Sequence, residues 1–259
     1  MDDIDPPREQ AGARDAIPLS LARFGLHWSG PIRYQSARLA RYREALADLA
    51  SMGLLYRCCC TRAMLDGASC YPGSCRHRVA CPGCDTTLSH SPWPSVADAL
   101  RLRLDGSIHI DDAVQGRQHT VLEQNPGDIV VRRRDGLVAY ALATAVDDAD
   151  VETVVRGADL LEATTAQCAI LRALDLSAPR WAHVPVALDG NGDKLGKSTS
   201  ARAIDTMEPL STLQAVWSFL GQARFAADTL DAFWREAPRR WSMQEVPAVR
   251  SRLAPSGLA

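Results

Sequence analysis

The sequence predicts an α/β fold: a parallel sheet wrapped by helices, interrupted by a small cysteine-rich insertion and completed by a helical C-terminal part. Three observations predict it. Short apolar strand patterns alternate with helical periodicity between Leu100 and Leu188, as they do where helices cross over a parallel sheet. From Cys58 to Pro94 the composition shifts abruptly to Cys, Gly, Pro, Ser and His. Beyond residue 207 helical patterning takes over. The chain accordingly divides into segments 1–57, 58–94, 95–206 and 207–259.

Each element has a local reason. An apolar helical stretch covers Ile17 to Phe24. The clearest helix runs from Ser36 to Met52, with Leu39, Tyr42, Leu46 and Leu49 at helical spacing. Ser36 is its expected N-cap and Gly53 its stop. Leu100 to Leu104 alternates apolar residues with arginine, and Ile108 and Ile110 mark a second short strand. The unbroken apolar run Val138 to Val146 reads as a buried strand. Thr153 to Val155 and Val184 to Leu188 read as further strands, with the helix Thr165 to Leu174 between them. Pro209 suits a first helical turn. Leu210, Leu213, Val216, Trp217 and Leu220 then share one face, and Gly221 ends the helix. The last dozen residues are expected to be loose.

Composition bounds the function. The 259 residues are 46% hydrophobic and 23% charged, with a formal net charge of −2, which excludes disordered and fibrous classes. No apolar run approaches the ~20 residues of a membrane helix. The acidic, proline-broken start is not a secretory signal, so a cytoplasmic, monomeric protein without a membrane partner is expected.

Seven of the eight cysteines, Cys58, Cys59, Cys60, Cys70, Cys75, Cys81 and Cys84, fall in the insertion. In a cytosolic chain such clustering points to metal before disulfides. Cys58 and Cys60 form a Cys-x-Cys pair able to present two thiolates to one tetrahedral ion, and Cys75 supplies a third. The fourth position is open to Tyr71, His77, Cys81 or Cys84, and Cys81-Pro-Gly-Cys84 is itself a good knuckle. Cys59 is expected to point away from the metal, and Cys168 to be a small buried apolar residue.

Of 29 basic residues only Lys194 and Lys197 are lysine, and both lie in the glycine-rich loop Asp189 to Ser200. Mobile ammonium groups on such a loop suit closing over phosphates; a solvated turn is the plain alternative. Arg156, directly after a strand, stands where parallel sheets place ligand-binding side chains. It can fork onto a carboxylate or simply pair with Asp148 or Asp159. His109, His119 and His183 read as ordinary structural or surface histidines.

Taken in order, the motifs resemble a known family. Asp2-Asp-Ile-Asp-Pro-Pro-Arg-Glu9, Phe24-Gly-Leu-His-Trp28, Cys58-x-Cys60 with Tyr71-x-x-x-Cys75, Arg133-Arg-Asp-Gly-Leu-x-Ala-Tyr140, Val155-Arg-Gly-Ala-Asp-Leu160 and Lys194-Leu-x-Lys-Ser198 are similar to the glutamyl-Q tRNA(Asp) synthetases. These are short relatives of the class I glutamyl-tRNA synthetase catalytic core. The resemblance implies a Rossmann-type catalytic domain with an inserted zinc-binding subdomain. It implies ATP-dependent activation of L-glutamate without tRNA, and transfer to the queuosine base in the anticodon of tRNA(Asp). Carried over by motif, Cys58, Cys60, Tyr71 and Cys75 match ligands of one Zn2+. Asp2, Tyr140 and Arg156 match glutamate-binding positions, Asp2 facing the amino group. Lys197 matches the catalytic, ATP-contacting lysine, and Lys194 joins it at the nucleotide, which arrives with Mg2+.

The sequence departs from the family at its start. The HIGH-type segment that opens the first helix of the family is not in it, so the catalytic domain reads as N-terminally truncated. A longer natural product is the favoured expectation, and a fragment unable to form adenylate the alternative. Gly196 replaces a residue that is usually serine, and Cys81 or Cys84 could displace Tyr71 from the metal. Two rival functions are a ligase charging a tRNA 3′ end and an impaired zinc module binding RNA through Arg132 to Arg134 and Arg239 to Arg240. Missing anticodon-binding sequence weighs against the first, and near-neutral charge against the second.

Overall fold

The computed structural model describes residues 1–6, 9–61, 63–65, 67–68, 70–76, 98–196 and 208–255. Helix α1 (Ala13–Arg23) comes first and buries none of its residues. A 3-10 turn at Gln35–Arg38 leads into α2 (Leu39–Ser51). Ser36 is not the cap that its position suggests; its backbone N–H and hydroxyl donate to the Asp3 carboxylate at 2.8 and 2.6 Å. The N-terminal segment thus holds the helix start from outside. Tyr42, Leu46 and Leu49 are fully buried on one face of α2, as their spacing requires, whereas Leu39 stays exposed. Gly53, at φ 68°, turns the chain out of the helix.

The apolar run at 138–146 is not a strand. It forms α3 (Tyr140–Asp148), with Leu142, Ala143, Thr144, Ala145 and Val146 all buried. An all-apolar run has no period that separates a buried strand from a buried helix. Alanine, the strongest helix former, recurs here at 139, 141, 143 and 145 and decides the matter. Only Val138 keeps a β-bridge, to Arg132.

Two main sheets flank this helical layer, and neither is wholly parallel. Strands β1 (Leu55–Cys58), β2 (Ala99–Leu102) and β5 (Ile129–Arg132) form an antiparallel sheet in the order β1-β2-β5. The other has the order β4-β3-β7-β6. Here β3 (Ser107–Asp112) and β4 (Gly116–Val121) form an antiparallel hairpin, while β3, β7 (Arg180–Val184) and β6 (Thr153–Gly157) run parallel. Helix α4 (Leu161–Ala173) makes the crossover from β6 to β7, the βαβ unit that the alternation implies. One core joins α2, α3, α4 and the inner faces of both sheets through Leu46, Leu100, Leu142, Ile170 and Trp181.

The expected strand 184–188 is divided between β7 and a short β8 (Val186–Leu188). The tail is not loose there: β9 (Ser251–Leu253) pairs with β8 in parallel. Between them in sequence lie α5 (Pro209–Phe219) and α6 (Leu230–Arg240). They enclose Trp217 and Phe233, with ring centroids 5.7 Å apart. Thr229 caps α6 by accepting the Ala232 N–H at 3.1 Å. Among the described residues no helix is long and apolar enough to cross a membrane.

Candidate active site and cysteine cluster

Arg156 and His183 are register partners on the parallel strands β6 and β7, so their side chains leave the same face of the sheet. Arg156 is largely buried and lies over the Trp181 ring, 4.7 Å from its centroid. Its Nε donates to His183 Nε2 at 3.2 Å. Its Nη2 donates to the Thr164 hydroxyl at 2.6 Å and to the Gln167 side-chain oxygen. Thr164 and Gln167 stand nearly one turn apart on α4, which brings both onto one face. The remaining nitrogen, Nη1, faces Asp148 Oδ2 at 3.6 Å, beyond hydrogen-bond length.

His183 is fully buried, and its Nδ1 meets Asp112 Oδ2 at 2.5 Å. Because Nε2 accepts from arginine, the ring proton sits on Nδ1 and is donated to Asp112. Burial, with repulsion from Arg156 and Arg250, lowers the histidine's pKa despite Asp112, and the ring stays neutral. Burial alone would raise the pKa of Asp112, but N–H groups of Gln115, His183 and Val114 together with the imidazole bring it down. The result is a carboxylate–imidazole–guanidinium chain ending at Nη1.

Asp148 in turn lines a groove of about 650 Å³ together with Asp2, Trp28, Thr144, Asp147 and apolar side chains of α1. Burial, and after it the nearby Asp147 and Asp2 charges, push the Asp148 carboxyl up to about 6 although Arg156 opposes this. The structure therefore brings Arg156, Asp148 and Asp2 to one place. Tyr140 is the first residue of α3 and stands 42% exposed. Lys194 pairs with Asp159, which follows β6. Both line a second groove, about 560 Å³, to which Arg250 of the tail also contributes. Lys197 lies outside the described residues, as do His77, Cys81 and Cys84. Sequence reasoning treated His183 as incidental and missed Asp112, Thr164 and Gln167. The recoverable signal was the strand–helix–strand unit itself, which sets positions 156 and 183 side by side.

The cysteine cluster forms at the end of β1. The sulfurs of Cys58, Cys60 and Cys75 all lie within 4.8 Å of one another, and Cys60 and Cys75 are 3.5 Å apart. Tetrahedral zinc with ~2.3 Å bonds to sulfur needs sulfur–sulfur edges of about 3.8 Å, so the trio fits that ion. The Tyr71 hydroxyl lies 3.4 Å from Cys58 Sγ and 3.8 Å from Cys60 Sγ, and accepts the Cys75 N–H at 2.9 Å. Cys59 does not turn wholly away, since its sulfur is 3.9 Å from Cys75, yet it is not one of the close trio. Arg101 covers the Tyr71 ring at 3.6 Å and donates to the Asp128 carbonyl at 2.5 Å. Cys168 is partly buried against the main core, and burial pushes its thiol up to about 11.

The family described as tRNA synthetases class I (E and Q), catalytic domain, matches residues 1–213. The chain belongs to that family. Among its relatives, a protein of Chromobacterium violaceum named glutamyl-Q tRNA(Asp) synthetase is 41% identical, over 96% of this chain and 83% of that protein. A protein of the same name from Dechloromonas aromatica is 40% identical, over 99% of this chain and 86% of that protein. The crystal structure of a glutamate tRNA ligase from Elizabethkingia meningosepticum, in complex with its amino acid, superposes with a TM-score of 0.73 at 19% identity. That match covers 98% of this chain but 59% of the ligase, and it establishes the shared fold alone. In this class I synthetase domain the groove containing Lys194 is lined by Ala158 and Asp159, directly after the C-terminal end of β6, where α/β sheets bind ligands.

Proposed function

We propose that the protein activates L-glutamate with ATP, without tRNA, and transfers it to the queuosine base in the anticodon of tRNA(Asp), acting as a cytoplasmic monomer. The observation that carries this reading is the guanidinium of Arg156, held by three neutral acceptors with Nη1 3.6 Å from Asp148, which lines one groove with Asp2. An amino acid with two carboxylates and one ammonium suits such a pairing. Nη1 of Arg156 takes a carboxylate, and Asp2 and the adjacent Asp148 attract the ammonium. Tyr140 completes the glutamate site.

The reaction needs no protein nucleophile. The glutamate carboxylate attacks the α-phosphate of ATP, the bond to the β-phosphate oxygen breaks, and pyrophosphate leaves. Lys194 and Lys197 stabilise the charge that develops on the departing phosphates, which enter as the Mg2+ complex. Holding the carboxylate in line with the α-phosphate supplies much of the rate. Cys58, Cys60 and Cys75, with Tyr71 at the fourth corner, would hold zinc. What a bound zinc ion would supply there is a cross-link within segment 58–94.

Glutamate-dependent exchange of labelled pyrophosphate into ATP, measured without tRNA, tests activation. Exchange with glutamate but not glutamine or aspartate is the expected result, and its loss in Arg156→Ala ties it to this site. Transfer is tested with tRNA(Asp) with and without queuosine. Glutamylation of both forms, or of a 3′ end, would count against the proposed acceptor.

A further inference from the structure

We infer that His183, backed by Asp112, is the positioning residue that keeps Nη1 of Arg156 available to a ligand carboxylate. The inference rests on the reading of Arg156 as a glutamate-binding residue.

Nη1 lies 3.6 Å from Asp148 Oδ2. Opposite charges in a half-buried setting ought to close to about 2.8 Å, so something holds the guanidinium back. Two anchors along one edge of its plane do this. Thr164 and Gln167 hold Nη2, and His183 alone holds Nε. With one anchor the planar group can roll; with two on the same edge it cannot. His183 is itself immobile, buried to 0% exposure, with Asp112 Oδ2 on Nδ1 and its backbone N–H on Asp112 Oδ1 at 3.1 Å. Asp112 is tied in turn by the N–H groups of Val114 and Gln115 at 3.0 and 2.8 Å. A neutral acceptor is the group this task requires: a carboxylate at 183 would neutralise Arg156, and a donor would repel it. Without His183 the guanidinium can close its 3.6 Å ion pair with Asp148 to a direct hydrogen bond, which an arriving carboxylate must then break.

The test is equilibrium binding of glutamate to the full chain by calorimetry, with ATP binding measured alongside. Loss of one hydrogen bond to a charged group predicts that His183→Leu raises the glutamate Kd about tenfold and leaves the ATP Kd within about twofold. His183→Gln, whose amide oxygen can accept from Nε, should recover most of the loss. The wild-type protein gives a second readout that needs no variant: 15N NMR of the His183 ring. The expected spectrum has Nδ1 protonated and Nε2 bare, with the Nε2 resonance moving on saturation with glutamate. A folded His183→Leu protein with unchanged glutamate affinity overturns the inference. So does an Nε2 resonance indifferent to bound glutamate, even if the leucine variant fails to fold. Arg156→Lys separates the two claims, because unchanged glutamate binding in that variant overturns the reading of Arg156 itself.

Discussion

Gly127 and Tyr71 pass so closely that a Cβ built on Gly127 would lie 2.7 Å from the Tyr71 carbonyl oxygen and 3.0 Å from its nitrogen. The two residues form a β-bridge, and Gly127 adopts φ 72°, open to glycine at little cost. This approach places the Tyr71 hydroxyl among the three thiols. Gly127→Ala should therefore destabilise the protein by more than about 1 kcal/mol and, if the cluster holds zinc, lower the zinc content of purified protein. Thermal melting and metal analysis check both effects, and an alanine variant retaining full zinc would show that the bridge does not shape the cluster.

Removal of metal should act locally. If zinc staples the insertion, a strong chelator should lower the melting temperature and expose Cys58, Cys60 and Cys75 to thiol reagents. The main core, built on Leu46, Leu142 and Ile170 elsewhere in the chain, should keep its far-UV signal. Thiol titration with and without chelator measures the difference; equal reactivity in both would argue against a bound ion.

Tyr42 links α2 to α3, donating its hydroxyl to Asp147 at 2.8 Å. Asp147 also accepts from Gln35 Nε2 at 3.2 Å and pairs with Arg38 Nε at 2.8 Å. Tyr42→Phe should cost about 1 kcal/mol. Combined with Asp147→Asn, its effect should be less than the sum of the two single losses, because both act on one network. Urea denaturation of the four proteins checks the cycle.

Asp148 gives a pH signature of known sign. Its pKa is raised from the unfolded 3.8 to about 6, chiefly by burial. The folded state therefore holds the extra proton between those values, and this group's contribution to stability falls as pH rises from about 4 to about 6. Comparing melting temperatures of wild type and Asp148→Asn across that interval isolates the group. The asparagine variant should lack the downward slope; a parallel pair of curves would mean that Asp148 titrates normally.

The C-terminal helices have their own core around Trp217, edge-on to Phe225 at 5.3 Å and to Phe233 at 5.7 Å. Its indole N–H donates to the Ala223 carbonyl at 2.9 Å. Trp217→Ala should cost 3–5 kcal/mol by the usual large-to-small arithmetic, roughly, read as a lower urea midpoint.

Residues that declare themselves by period or spacing were legible in the sequence. Tyr42, Leu46 and Leu49 mark the buried face of α2, and Cys58, Cys60 and Cys75 mark a cluster that the fold draws together. Arg156 was expected directly after a strand, and the fold sets it inside β6 instead, beside His183. What escaped depends on neighbours distant in the chain. The run 138–146 is buried from Leu142 to Val146 and lacks the alternation that separates strand from helix. β4, with Gly, Arg, Gln and His in sequence, carries no apolar pattern and is recognisable only through pairing with β3. His183 acquires meaning solely from the register that sets it against Arg156. β9 exists because β8 offers an edge, a property of a segment some 65 residues earlier.

The three residues of β8 are held from both sides. On one flank the Leu195 N–H donates to the Ala187 carbonyl at 2.9 Å and Lys194 bridges Leu188; on the other, β9 runs alongside, with Val186 N–H on the Arg250 carbonyl at 3.0 Å and Ala254 N–H on Leu188 at 2.7 Å. The lysine hairpin and the tail are consequently rungs of one ladder sharing a single middle rail. Any displacement of Lys194 therefore tugs on residues 250–254, of which Arg250 and Ser251 line the same groove as that lysine, so shortening the far end should be felt at the hairpin.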